Sequence, residues 1–278
     1  MVTVTTDRPP RFDFLSTGPV AEEQLGVFLR LGMAVAILSV VFEKVLDAPG
    51  NLETERYHLI AATVGMALAT GLVLFERVSR IGIAFFAVSI LVYVGDKWAA
   101  YHNHGWLTVW TIPAALAFGA AWWQSGLYRW YLRATLGVVM LAAVAQKLLA
   151  GTYLDGTYIT FLSQNGSTTE RMFGFLCDAS VAAPCFAHKA IGTFIVAWQA
   201  VVGVLLLAGV RSLAFLFIEI AFLLGAGLYA DEMNFQVLNI ALLCIAFGYG
   251  MRPWLCAICL TLLVVDTYSI AGLLNHVL

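Results

Sequence analysis

The sequence predicts an all-α, polytopic integral membrane protein of about nine transmembrane helices, with eight as the alternative count. Three observations predict it. Of 278 residues, 61% are hydrophobic and only 12% charged, half the roughly 25% charge of soluble domains. The apolar stretches approach the roughly 20 residues a spanning helix needs. They run continuously instead of alternating, which favours helices over the strands of a closed barrel.

Residues 1–20 carry Arg8, Pro9, Pro10 and Arg11 and no apolar core. They read as a polar tail and not as a cleavable signal peptide. One transmembrane domain is expected over 21–278, with no internal repeat. The first span, 25–46, ends in Glu43-Lys44. The second, 58–75, stops at Glu76-Arg77. The third, 80–99, runs from Arg80 into Asp96-Lys97. The fourth, 107–123, closes on Trp122-Trp123. The fifth, 131–150, carries Arg133 near its start and Gln146-Lys147 near its end, after the apolar run Val138 to Ala145. A polar connection at 151–186, with Gly151, Gly156, Gly166 and Pro184, is too hydrophilic to span. A connection that long is often functional. Spans at 187–209 and 212–230 are parted by Arg211, a short one follows at 235–250, and the last is 253–274.

Loop charge orients this arrangement. Arg8, Arg11, Arg77, Arg80, Arg129, Arg133, Arg211 and Arg252 fall on one side; Lys44, Arg56, Lys97, Lys147, Arg171 and Lys189 fall on the other. The richer side is expected to be cytoplasmic, with the N-terminus. Most acidic residues gather on the outer side, among them Glu43, Asp47, Asp96, Asp155, Asp231 and Glu232. The net charge of −2 argues against a nucleic-acid partner. Membrane lipid is the partner that composition implies.

Cys177 and Cys185 share the outer loop, where an oxidising compartment allows a disulfide. Cys244, Cys256 and Cys259 lie within spans and read as core residues. Inside the spans, Arg30 and Glu219 are expected to pair. Trp122, Trp123, Trp130 and Tyr131 read as an interfacial aromatic belt.

Odd-to-even connections share the outer face, so four polar clusters meet there: Glu43-Lys44, Asp96 to His104, Gln146-Lys147, and Asp231 to Gln236. Lys147 stands out, because charge at membrane depth faces a cavity or a partner. A neutral lysine amine is a usable general base. The competing reading is a lysine that snorkels to the headgroups. His102 and His104 flank Asn103, and a His-x-His pair near carboxylates can hold a metal. Hydrogen bonding or charge relay at His104 is the other reading, and no metal is predicted.

DKWAAYHNHGWL, Asp96 to Leu107, resembles the luminal segment of the vitamin K-dependent gamma-carboxylase family. There an aspartate-lysine pair precedes an aromatic residue and an Asn-His-x-x-Leu motif. AAVAQKLLAGTYLDG, Ala142 to Gly156, is similar to that family's segment around its catalytic lysine. MNFQVLNI, Met233 to Ile240, resembles its Met-Asn-x-Gln stretch. The three occur in the family's order and cover spans three through eight. The wider group is the horizontally transferred transmembrane (HTTM) domain.

The resemblance implies a membrane-embedded site for a reduced quinone of vitamin K or menaquinol type. Lys147 would deprotonate the hydroquinone, and Asn103 and His104 would stabilise oxyanions. Asp96, Lys97, Tyr101, His102, Asp231, Glu232, Asn234 and Gln236 would line the quinone or substrate site. The implied activity is a quinol-dependent lyase or oxidoreductase, carboxylase- or epoxidase-like, acting on a small or peptide substrate. The sequence departs from the family in three places. Asp231 and Glu232 stand where the family has a histidine, and Gln146 stands where the carboxylase has a second lysine. The chain also stops near the end of the membrane core, so a domain that presents a glutamyl protein is not expected. A non-catalytic accessory factor for maturation or export of a partner protein, DoxX-like or HTTM-like, is the alternative. A transporter is disfavoured by the lack of an inverted repeat.

Overall fold

The computed structural model describes residues 22–98, 103–165, 175–177, 183–230 and 232–270. Eleven α-helices order these residues: α1 Glu22–Leu46, α2 Ala48–Glu53, α3 Tyr57–Leu74, α4 Ser79–Asp96, α5 Asn103–Thr111, α6 Gly126–Ala150, α7 Thr157–Asn165, α8 Phe186–Leu207, α9 Leu213–Ala230, α10 Met233–Ala246 and α11 Pro253–Ile270. There is no strand among the described residues. Six helices, α1, α3, α4, α6, α8 and α9, are long and apolar enough to cross a membrane. The chain is thus an all-α, multi-pass membrane protein.

α10 lies at the centre. From Gln236 to Ala246 every residue is buried, as expected of a helix apolar all round. α1, α6, α9 and α11 pack around it. The outer faces stay apolar: Val64, Leu68, Val88, Leu91, Val201, Val204 and Ile218 are exposed. In a bilayer that surface meets lipid tails, so its exposure carries no hydrophobic cost. Small residues bring α6 and α8 together. A Cβ on Gly137 would lie 3.0 Å from the Gly203 carbonyl oxygen, and one on Gly203 would lie 3.1 Å from that of Gly137. Close backbone approach of this kind drives helix association where lipid removes the hydrophobic drive.

The segment expected to span at 107–123 is broken. α5 gives way at Pro113 to 3-10 turns at Pro113–Phe118 and Trp122–Gln124. Proline lacks an N–H and clashes with the preceding turn. Freed carbonyls in an apolar setting need other donors. The Tyr128 hydroxyl donates to the Thr111 carbonyl at 3.0 Å, and the Tyr131 hydroxyl to that of Trp110 at 2.6 Å. The segment still traverses the bundle. It starts beside the Asp96 end of α4, and its Trp122 indole reaches the Ser79 hydroxyl at the other end at 3.0 Å. Tyr128→Phe therefore leaves a buried carbonyl unpaired. It is expected to cost about 1–3 kcal/mol, read as a lower thermal midpoint, with little change in helix content by circular dichroism.

Two expectations are corrected. Trp122 and Trp123 do not face outward as an aromatic belt would: they are 0% and 5% exposed, because the break at Pro113 turns them inward. Arg30 does not pair with Glu219. Its Nε donates to the Leu74 carbonyl at 3.2 Å, with the Glu76 carboxylate 3.6 Å from Nη1. Glu219, on α9, accepts the Trp198 indole N–H at 2.7 Å. Each group thus takes its partner from the helices next to it. Cys177 and Cys185 do form the expected disulfide, with Cα atoms 6.1 Å apart. Cys244, Cys256 and Cys259 are free and buried. Buried His188 takes a 2.9 Å contact with the Thr160 hydroxyl, tying α7 to the first turn of α8.

Candidate functional site

α6 ends where Gly151 adopts φ 74° and its N–H caps the Lys147 carbonyl at 3.1 Å. A left-handed residue at this position favours glycine. The chain then folds back, and the Tyr153 ring comes to lie 5.1 Å from Lys147 Nζ. Tyr153 is stacked on Tyr158 with centroids 4.4 Å apart.

Lys147 opens into a cavity of about 420 Å³, lined also by His104, Trp106, Trp110, Gln146, Glu232, Gln236 and Asn239. That volume falls within the roughly 300–1,000 Å³ of small-molecule pockets. His104 lies flat on Phe235, centroids 3.9 Å apart and planes 7° from parallel. The Glu232 carboxylate is near enough to act electrostatically on Lys147. A second cavity of about 410 Å³ shares Lys147, Tyr153, Gln199, Phe222, Glu232 and Gln236 with the first. Its other walls are mostly apolar, with Ile159, Leu162, Phe194 and Ile195. A chamber of mixed lining and a more apolar one thus meet at one lysine.

Two residues that line the first chamber each hold a buried oxygen without a hydrogen-bond partner: Asn239 its Oδ1 and Gln199 its Oε1. Asn239 cannot simply be flipped, because its Nδ2 donates to the Phe235 carbonyl at 3.0 Å. An orphaned buried acceptor is uncommon and costs about 1–3 kcal/mol. Both oxygens ask for a ligand that brings donors, such as hydroxyls. Asn239→Leu is expected to leave the thermal midpoint unchanged or raised. It should weaken a hydroxyl-bearing ligand about tenfold, one hydrogen bond's worth, by equilibrium titration.

The cavity brings together four of the residues that the sequence assigns to the site, Lys147, His104, Glu232 and Gln236, with Gln146 beside them. Asn103 opens α5 one residue before His104. Tyr101, His102, Asp231 and the side chain of Asn103 lie outside the described residues. Asp96 and Lys97 stand apart in ion pairs: Asp96 with Arg56 at 2.8 Å and His58 at 3.0 Å, Lys97 with Asp47 at 3.3 Å. Asn234 does not line either chamber. Sequence reasoning missed Asn239, Gln199 and Tyr153. The first two are polar residues inside apolar helices, which marks functional positions in membrane proteins. Tyr153 carried no such mark, because its place depends on how the loop folds back.

In the loop beneath the site, Asp155 Oδ1 accepts the Thr157 backbone N–H at 2.8 Å. That bond holds its carboxyl below the usual carboxylate range. Asp155 is therefore ionised near neutral pH.

Fold and cavity together define a class: a multi-pass helical membrane protein with a lysine at the junction of two intrabundle chambers. No protein-family model matches the chain, and no curated protein or solved structure does either.

Proposed function

We propose that the chain binds a reduced quinone, of vitamin K or menaquinol type, and uses Lys147 as the base that deprotonates it. The observation that carries this reading is the set of groups in one cavity. A lysine lines one cavity with Asn239 and Gln199, whose Oδ1 and Oε1 are orphaned acceptors, and that cavity adjoins an apolar chamber. A hydroquinone has two hydroxyl donors on an apolar body, which matches that set. Bound there, a quinol supplies electrons and protons for an oxygenation or a linked modification of a small or peptide substrate. Asn239 and Gln199 hold the hydroxyls. Lys147 Nζ takes a proton, and nearby Glu232 favours the resulting ammonium. His104, fixed against Phe235, is assigned to the oxyanion left behind. The apolar chamber keeps water from the reacting oxygen. The three sequence segments that resemble the gamma-carboxylase and HTTM group support the same assignment.

The test is turnover by the purified protein of vitamin K hydroquinone in air. The expected result is oxygen-dependent loss of hydroquinone, with epoxide formed, above a protein-free control. A rate equal to that control would sink the enzyme reading and leave an accessory role in maturation or export.

The proposed topology has nine passes. It counts the broken segment from α5 to Gln124, together with the shorter α10 and α11. The N-terminus is cytoplasmic and the Lys147 cavity opens at the outer face, in keeping with the excess of arginine on the other side. An impermeant thiol reagent is expected to label a cysteine introduced at Trp98 from outside intact cells. Labelling only after lysis would reverse the orientation.

A further inference from the structure

The end of the bundle remote from Lys147 carries a second polar cluster. Arg129 and Arg133 lie four residues apart on α6, hence on one face. Packing fixes the level of Arg133. A Cβ on Gly137 would meet the Gly203 carbonyl at 3.0 Å and Leu207 Cγ at 2.9 Å. α6 and α8 run antiparallel, so one turn before Gly137 Arg133 is level with the turn that carries Arg211. The charges of Arg211 and Arg129 both act on Arg133. Arg129 lies against the α10–α11 turn, its Nη1 2.8 Å from where a Cβ on Gly248 would stand.

Arg133 is only 3% exposed, and its Nε and Nη1 have no hydrogen-bond partner. Among the described residues, none of the three arginines forms an ion pair with a carboxylate. Arg129 also lines a cavity of about 550 Å³, whose one carboxylate, Glu76, already faces Arg30. A guanidinium does not shed its proton. A buried one with like charges beside it and no acid is strongly unfavourable unless an anion joins it.

We infer that Arg129, Arg133 and Arg211 form a binding site for a phosphate-bearing anion. The planar guanidinium fork matches phosphoryl oxygens. Phosphate can come from two sources here, an anionic lipid headgroup or a free phosphate compound. The site is separate from the Lys147 cavity and does not depend on what binds there.

The test uses the purified full-length protein and two probes. One is nanodiscs of phosphatidylglycerol and phosphatidylcholine against phosphatidylcholine alone. The other is inorganic phosphate or pyrophosphate in detergent, against chloride at equal ionic strength. At least one probe is expected to raise the thermal midpoint by roughly 4 °C. The shift should be lost in Arg133→Leu and in Arg211→Gln. The second substitution changes an exposed turn residue, so it remains informative if the first fails to fold. A response to the lipid alone assigns the headgroup, and a response in detergent assigns free phosphate. No response to either probe overturns the site. So does a full shift in either folded variant, including an Arg133→Leu protein that is more stable yet responds as wild type does.

Discussion

Lys147→Ala is expected to abolish hydroquinone turnover while leaving the quinol bound. Positioned proton transfer is worth about 10²–10⁴-fold, so kcat should fall by that factor. Affinity should hold within a few fold, because the acceptors on Asn239 and Gln199 remain. The protein should stay folded: Lys147 touches the Tyr153 ring and sits near Glu232, and an alanine in the last turn keeps the Gly151 cap on the residue 147 carbonyl. Lys147→Arg keeps the charge but supplies no base, so it too should lose kcat. A lysine that merely reached for headgroups would behave otherwise. Its alanine variant would turn over at the wild-type rate, and the arginine variant would be silent. Rapid-quench measurement of hydroquinone consumption, paired with anaerobic titration, separates these outcomes.

The second large effect is expected at Gly192, two turns into α8 and far from any reacting group in sequence. A Cβ there would overlap the Tyr153 carbonyl oxygen. That atom is backbone, so no side-chain rotation relieves the overlap. Either α8 or the loop after α6 must move, and α8 is pinned to α6 through Gly137 and Gly203. The loop is the part that yields, and it carries Tyr153 away from Lys147 and from the wall shared by both chambers. Gly192→Ala is expected to cost about 1–3 kcal/mol of stability, as overpacking does. Quinol affinity should fall at least about tenfold. Gly71→Ala is the control, since nothing lies within 4 Å of its added Cβ. If Gly192→Ala binds as wild type does, Tyr153 has no part in the site.

Much of this was legible in the sequence for identifiable reasons. Long apolar runs mark α1, α3, α4, α6, α8 and α9, because a spanning helix must satisfy its own backbone. Lys147 showed itself as a charge within such a run. His104, Glu232 and Gln236 followed from helix alternation, which sends the ends of α4, α6 and α9 to one face. The disulfide between Cys177 and Cys185 was readable from shared loop and compartment. The break after α5 was less visible. Pro113 marks it, but the tyrosines that repair it, Tyr128 and Tyr131, come from the next helix and are tied to it only by the fold. Trp122 and Trp123 misled for the same reason, since an aromatic pair at a span end reads as interfacial until the turn that buries it is known. Arg30 and Glu219 looked like partners by depth alone, yet depth does not say which helices are neighbours. Asn239 and Gln199 acquired meaning only when packing put both residues in a cavity wall and left an oxygen of each without a partner.

The central claim is that a reduced quinone occupies the chamber beside Lys147. Trp106 and Trp110 line that chamber, so their fluorescence reports on it. The direct measurement is an anaerobic titration of the purified protein with vitamin K hydroquinone. Saturable one-to-one quenching is expected, weakened about tenfold by Asn239→Leu and reduced in amplitude by Trp106→Phe. A titration that never saturates, or one indifferent to both substitutions, would contradict it.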